Sequence, residues 1–294
     1  MTTVAVVGTG RMGSAMARAL ARGGATLIVS NRSRERATAL ANELGAQVAS
    51  TPAEASAAAD ISITMLADGD AVHSVWGGPD GLVAGARTGG VLVDMSTVPP
   101  DTLEPFAAAA ANGGVGIVDA PVSGSTALAE SGELTIMAGG SSEDLERARP
   151  ALDLVAKQVT LVGPLGSGAA LKLAVNAIIF SLNNGLSEAL VLAERAGVDR
   201  EVAYEVFATS AVGAPFVAYK RAAFVEPESA AVAFSLDLAS KDMRLITELA
   251  DRLGVPMPQA HANRRLIGEA SSRLGADHDF SAVATHLRQL ASAG

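Results

Sequence analysis

The chain has 294 residues, 49% of them hydrophobic, and carries a net charge of −9 with a pI near 5.0. That length suits two domains of roughly 100–200 residues each, and the acidic balance leaves no basic footprint for nucleic acid or an anionic membrane. It has no cysteine, which excludes a disulfide framework, a thiolate metal site and a cysteine nucleophile, and is in keeping with a cytoplasmic location.

The N-terminus, MTTVAVVGTG, lacks the basic n-region and apolar h-region of a signal peptide. From there to residue 162, short β-branched runs alternate with alanine-rich helical stretches. The expected strands are VAVV (4–7), TLIVS (26–30), ISITML (61–66), VLVDM (91–95), GIVDA (116–120), LTIMA (134–138) and QVTLV (158–162). Between them, TPAEASAAA opens with Thr51 as N-cap, Pro52 at N1 and Glu54 at N3. Apolar strands separated by helices imply a parallel sheet covered on both faces.

GTGRMG follows the first strand directly and opens a helix, SAMARALARGG. Strand, glycines and helix stand in the order a dinucleotide-binding loop needs. Gly8 permits the tight turn, Gly10 lets a pyrophosphate approach the backbone, and Gly13 lets the helix pack on the sheet. Thr9, Arg11 and Met12 complete the loop, whose helix N-terminus offers N–H groups to phosphate. A glycine turn with no ligand is the alternative. The second strand ends in Ser30-Asn31-Arg32-Ser33, with no carboxylate for a ribose 2′-OH. Arg32 can bind a 2′-phosphate, so NADP(H) is favoured over NAD(H); otherwise it is a surface arginine near Glu35 and Glu43. Met65 and Leu66, and Ser96 and Thr97, close the next two strands on the side where such sheets bind ligands, and are further cofactor candidates. Taken singly, each turn also reads as ordinary punctuation.

After Gly163 the strand pattern stops. Helical periods follow, broken at 197–199, 213–215, 226–227 and 254–256. The expected fold is thus an α/β Rossmann-type domain with a mostly parallel, doubly wound sheet (residues 1–163), then an all-α domain (164–294). A long helix from about Ala169 to Ala196 joins them. No run of 18 apolar residues escapes a charge or polar break, so no membrane span is expected, and His73, His261, His278 and His286 show no metal-ligand spacing.

Lys172 and Asn176 stand at i and i+4 on that helix, among Leu171, Leu173, Ala174, Val175, Ile178, Ile179 and Phe180. The neighbours suggest a helix buried most of the way round. Burial would lower the lysine pKa from about 10.4, toward the range of a general acid or base. A lysine that snorkels from a helix start fits the pattern equally well.

Four stretches in order resemble the β-hydroxyacid dehydrogenase family, which includes 3-hydroxyisobutyrate dehydrogenase and tartronate semialdehyde reductase: GTGRMG, DAPVSGS (119–125), GSGAALKLAVN (166–176) and KDMRLITELADRLGVPMP (241–258). The resemblance puts Lys172 on the catalytic lysine and Asn176 on the substrate-binding asparagine. Ser123 and Gly124 fall on the turn that holds a substrate carboxylate, and Lys241 on the residue that reaches the nicotinamide end. It implies an NADP(H)-dependent interconversion of a small β-hydroxyacid and its semialdehyde, in a cleft between domains, by a homodimer or homotetramer assembled through the helical domain.

Two departures stand out: Ser125 replaces the usual second glycine, and Ala67 an often-found proline. Imine reductases resemble this architecture but replace the lysine, which Lys172 argues against. A non-catalytic NADPH-binding protein would have no reason to keep both Lys172 and Asn176. Without the resemblance, PVSG is a proline-led turn and Lys241-Asp242 a surface pair. Phe216, Phe234 and Leu238 are candidate pocket walls.

Overall fold

The structure, a computed structural model, describes residues 2–292. The chain divides into two compact units, Met1–Lys172 and Leu173–Gly294.

The first unit holds a nine-stranded sheet: β1 (Thr3–Val7), β2 (Thr26–Ser30), β3 (Gln47–Val48), β4 (Ile61–Thr64), β5 (Val91–Asp94), β6 (Gly116–Asp119), β7 (Val122–Ser123), β8 (Leu134–Gly140) and β9 (Ala156–Gly163). The order is β3-β2-β1-β4-β5-β6-β8-β7, with β9 also paired to β8. All pairings from β3 to β6 are parallel, β6–β8 and β7–β8 are antiparallel, and β8–β9 is parallel again. This is the mostly parallel, doubly wound sheet that the sequence pattern implies. Along β1, Val4 and Val6 enter one core with Met16 and Leu20, while Ala5 and Val7 enter another with Trp76 and Leu82. Alternate side chains therefore need burial on both faces, which is why the strand reads as an unbroken apolar run.

β3 and β7 have two residues each, too short for any periodicity to show. β4 and β5 end earlier than the apolar runs do, because Met65, Leu66 and Met95 lie beyond the paired residues at the C-terminal ends of the strands. The Thr51 cap forms as expected: its side chain accepts from Glu54 N–H, and the Glu54 carboxylate reaches back to Ser50 N–H at 2.7 Å.

The long helix runs Ser167–Arg195 and crosses the boundary between the units. It is less enclosed than its composition suggests. Leu171, Ile178 and Leu192 are 40%, 69% and 72% exposed, spaced by one and then two runs of seven residues and so on one face. By length and composition the helix could cross a membrane, and half of its most apolar window is buried within the protein.

The remaining helices of the second unit are Arg200–Thr209, Pro215–Val225, Leu236–Leu253, Pro258–Leu274 and Val283–Ser292. Their punctuation is chemical: Asp199 caps Glu201 and Val202 N–H, Pro215 and Pro258 open helices, and Gly254 closes one in the left-handed conformation. Phe180, Phe216, Phe224, Phe280 and Tyr204 build the core. Phe216 belongs there, 5.7 Å from Phe280, and so is a packing residue and no pocket wall. Lys220 is buried too, its ammonium 2.7 Å from both oxygens of Asp279, whose carboxylate also accepts from Ala233 and Phe234 N–H. The pair fixes the loop before Leu236–Leu253.

Candidate active site

In the first unit the glycine loop is built as the sequence demands. Gly8 has φ +100°, and its N–H donates to Ser30 O at 2.9 Å. A Cβ on Gly8 would strike the Met65 carbonyl, and one on Gly13 the Gly8 carbonyl. Gly10 differs. Its backbone is extended, and a Cβ there would meet nothing within 4 Å. The helix Arg11–Arg22 that follows has no side-chain cap and no acidic residue in its first turn. Open space beside a helix start that lacks a negative partner suits a phosphate. The Thr9 hydroxyl, on the same loop, is buried and has no hydrogen-bond partner among the described residues. These features fit a dinucleotide.

Asn31 takes a part that its sequence position does not advertise. Its Oδ1 accepts from Thr9 N–H at 3.1 Å and its Nδ2 donates to Ser33 O at 3.1 Å, so it ties the glycine loop to the end of β2. Arg32 is exposed. Glu43, its candidate partner, is instead bound by Arg18, and among the described residues Arg32 forms no ion pair. Ser33 stands at the N-cap of Arg34–Leu44 with its hydroxyl uncommitted to that helix.

The ends of β4 and β5 are joined by a buried chain of hydrogen bonds. Leu66 N–H donates to Ser96 Oγ (2.9 Å), Ser96 Oγ donates to Asp94 Oδ1 (2.7 Å), Thr64 Oγ1 donates to the same oxygen (2.6 Å), and Trp76 Nε1 donates to Thr64 Oγ1 (3.2 Å). Asp94 Oδ2 is buried with no hydrogen-bond partner among the described residues. Burial pushes the Asp94 carboxyl up to about 6, against the pull of the Thr64 and Ser96 hydroxyls. The Ser96 side chain is 1% exposed and committed to this chain, so it acts by holding the Leu66 turn.

Ser123 lies on β7, paired with Thr135 of β8, and Gly124 follows at φ +143°, a conformation that needs glycine. Ser125 answers the question raised by the missing second glycine. It has ordinary extended dihedrals, and its side chain caps the helix Thr126–Ser131 by accepting from Leu128 N–H at 3.3 Å. Upstream, the Asp119 carboxylate accepts from Gly166 and Ala169 N–H at 2.7 Å each, at the start of the helix bearing Lys172. Lys172 is half-buried on the second turn of that helix.

In the second unit Asn176 is buried, and its Nδ2 donates to Asp242 Oδ2 at 2.8 Å. Lys241 Nζ sits 2.9 Å from Asp242 Oδ1. Asp242 is 1% exposed, so the pair is no surface pair. Sequence reasoning missed Asp242, although its place beside Lys241 and its i, i+4 spacing from Leu238 and Ile246, both at least partly buried, put it on the inner face of its helix.

The sequence of residues 3–163 matches the model for the NAD binding domain of 6-phosphogluconate dehydrogenase. Residues 166–287 match the model for the NAD-binding domain of NADP-dependent 3-hydroxyisobutyrate dehydrogenase. Glyoxylate/succinic semialdehyde reductase 2 of Arabidopsis thaliana is 34% identical over 97% of this chain and 79% of its own. 3-Sulfolactaldehyde reductase of Escherichia coli is 34% identical over 98% of this chain and 96% of its own. The crystal structure of 3-hydroxyisobutyrate dehydrogenase from Salmonella typhimurium superposes with a TM-score of 0.88, at 26% identity, over 97% of this chain and all of its own. With both halves matched and relatives of this likeness along its whole length, the chain belongs to the β-hydroxyacid dehydrogenase family of NAD(P)-dependent oxidoreductases.

Proposed function

We propose that the protein is an NADP(H)-dependent reductase of small semialdehydes or glyoxylate-like acids, running in reverse as a β-hydroxyacid dehydrogenase. The observation that carries this reading is the Lys172–Asn176 pair, one turn apart on a single helix, with the Asn176 amide fixed by the buried Asp242 carboxylate. Ser123, through its hydroxyl, and Gly124, through its N–H, hold the substrate's anionic end. Asn176 orients the substrate.

When bound, the nicotinamide supplies hydride to the carbonyl carbon in reduction and accepts it in oxidation. Lys172 Nζ carries the matching proton. As an ammonium it donates to the carbonyl oxygen; as an amine it takes the hydroxyl proton back. Gly8, Thr9, Gly10, Arg11, Met12 and Gly13 hold the dinucleotide phosphates. Asn31 braces that loop, Arg32 and Ser33 take the ribose 2′-phosphate, and Met65, Leu66 and Thr97, steadied by Ser96, line the same edge. Lys241 serves the nicotinamide end.

Preference for NADP(H) is supported by the unpaired Arg32, by the lack of a carboxylate at the end of β2, and by the NADP-dependent enzyme for which the second matching model is named. The substrate class is supported by the relatives, whose names specify glyoxylate, succinic semialdehyde and 3-sulfolactaldehyde: each joins a carbonyl to an anionic group. A homodimer or homotetramer is supported by the exposed apolar face of Leu171, Ile178 and Leu192, together with exposed Val202 and Val206.

The test is reduced-cofactor oxidation with those three compounds, tartronate semialdehyde and methylmalonate semialdehyde, with NADPH and NADH in turn, for wild type and Lys172→Ala. The expected result is turnover of at least one aldehyde, faster with NADPH, and a loss of about 10²–10⁴-fold in kcat in the variant. Wild-type kcat in Lys172→Ala, or turnover of none of them despite NADPH binding, would sink the reading.

A further inference from the structure

We infer that Asp119 is a positioning residue for Lys172: its carboxylate clamps the start of the lysine-bearing helix to the strand that leads into the Ser123–Gly124 turn. The inference rests on the acid–base reading of Lys172 above and gives the first residue of the DAPVSGS stretch a role of its own.

Asp119 ends β6 and is 3% exposed. Its Oδ1 accepts from Gly166 N–H and its Oδ2 from Ala169 N–H, both at 2.7 Å, across 47 and 50 residues of sequence. Among the described residues no cation pairs with it. A buried carboxylate without a counter-ion is costly unless its oxygens are satisfied by donors. Here those donors are the orphan N–H groups at a helix start, reinforced by the positive end of the helix dipole. The helix has no capping side chain of its own, because Gly166 precedes it. The cap therefore comes from a distant strand, and by capping it joins two pieces of the site.

Both pieces are close to the clamp along the chain. Lys172 lies three residues beyond Ala169, so the bonds that fix the first turn fix its height and rotation about the helix axis. Ser123 lies four residues beyond Asp119, and the intervening chain is held by the pairing of Val122 and Ser123 with Ile136 and Thr135. The local sequence makes room for the clamp. A Cβ on Gly168 would lie 2.8 Å from Asp119 Oδ2, and one on Gly139, opposite Asp119 in the β6–β8 register, would collide with Oδ1. Glycine at both positions leaves the carboxylate space to reach the helix.

The test is a double-mutant cycle of Asp119→Asn with Lys172→Ala, reading kcat, KM and NADPH affinity. The asparagine keeps the shape but replaces one acceptor with a donor facing an N–H. A displacement of the helix start by about 1 Å can cost about 100-fold in rate. We expect Asp119→Asn to lower kcat by that order with Lys172 present, to leave NADPH affinity unchanged, and to cause no further loss on the Lys172→Ala background. A merely structural role would lower kcat equally on both backgrounds and would overturn the inference, as would wild-type kcat in Asp119→Asn. Wild-type kcat in Lys172→Ala would overturn the acid–base reading and this inference with it; loss in that variant alone overturns only the inference. If Asp119→Asn does not fold, Asp119→Ser, which keeps one hydroxyl acceptor, enters the same cycle. In the unaltered protein, the Ala169 amide must exchange slowly with solvent deuterium although it lies in a first helical turn; fast exchange would also overturn the clamp.

Discussion

Asn176 and Asp242 meet at 2.8 Å, amide nitrogen to carboxylate oxygen, with both side chains buried. A carboxylate can only accept, so it selects which end of the amide faces it. The Asn176 nitrogen turns toward Asp242, leaving its second N–H and its carbonyl oxygen for other partners. The same carboxylate holds the Lys241 ammonium at 2.9 Å. One buried acid thus fixes two of the side chains that the family resemblance assigns to the site.

Removal of that acid should be felt in substrate handling before it is felt in folding. Asp242→Ala removes the acceptor of the Asn176 N–H and one ion pair of the Lys241 ammonium, and losing a hydrogen bond to a charged partner is worth about 1.5–3 kcal/mol. The expected fall in kcat/KM is therefore about 10–100-fold. Asp242→Asn keeps an acceptor for Asn176 but no charge for Lys241, so it should fall between wild type and Asp242→Ala. Steady-state kinetics on the three proteins check the order; equal kcat/KM for all three would refute it.

The glycine loop offers a contrast between two residues of one motif. Gly13 has a backbone carbonyl where its Cβ would go, whereas Gly10 has open space. Gly13→Ala must push apart the first strand's turn and the helix, an overpacking cost of about 1–3 kcal/mol that appears as a lowered Tm without any ligand. Gly10→Ala should leave the ligand-free Tm unchanged, because its extended backbone accepts alanine. It should instead shrink the rise in Tm on adding NADPH, which grows with the logarithm of ligand concentration over Kd. Thermal unfolding with and without NADPH checks both. A normal NADPH-induced rise in Gly10→Ala would show that this space is not where the dinucleotide binds.

Much of this was legible because it is local. Strand, glycine loop and helix follow one another within 22 residues, and their order alone implies the turn that the structure contains. The helical breaks at Gly197, Pro215 and Gly254 are likewise written in residues with restricted or unusual backbone freedom. The supports of the site were less legible because they are long-range. Asp119 reaches residues 47 and 50 positions away, Asp242 reaches 66 positions, and nothing in a linear pattern pairs them. Asn31 stands out in the sequence by its position, but its bond to Thr9 depends on how the first two strands lie side by side. The open face of the long helix is hidden in the sequence for a related reason. Leu171, Ile178 and Leu192 are as apolar as buried residues, and composition cannot separate a face that packs inward from one that stays exposed.

The chain of hydrogen bonds around Asp94 leads to a prediction about pH. Its carboxyl titrates near 6 in the folded protein against 3.8 ordinarily, chiefly because it is fully buried. The folded state therefore holds a proton that the unfolded state has released, and the sign follows. Below about pH 4 both states are protonated and Asp94 has no effect on stability. As pH rises from about 4 to about 6 the unfolded state ionises first, and stability falls; above about 6 the whole penalty, about 3 kcal/mol at about 1.4 kcal/mol per pK unit, is present. Asp119, raised by burial in the same direction, adds a slope of the same sign, whereas Asp279 and Glu194, held low by Lys220 and by Arg288 with Arg200, add slopes of the opposite sign. The difference between wild type and Asp94→Asn isolates one group, since the other three are common to both. Denaturant unfolding across this range should show Asp94→Asn gaining on wild type as pH rises, with the gain levelling off above about pH 6. A difference that stays flat with pH would mean that Asp94 is ionised throughout, and that the hydroxyls of Thr64 and Ser96 outweigh its burial.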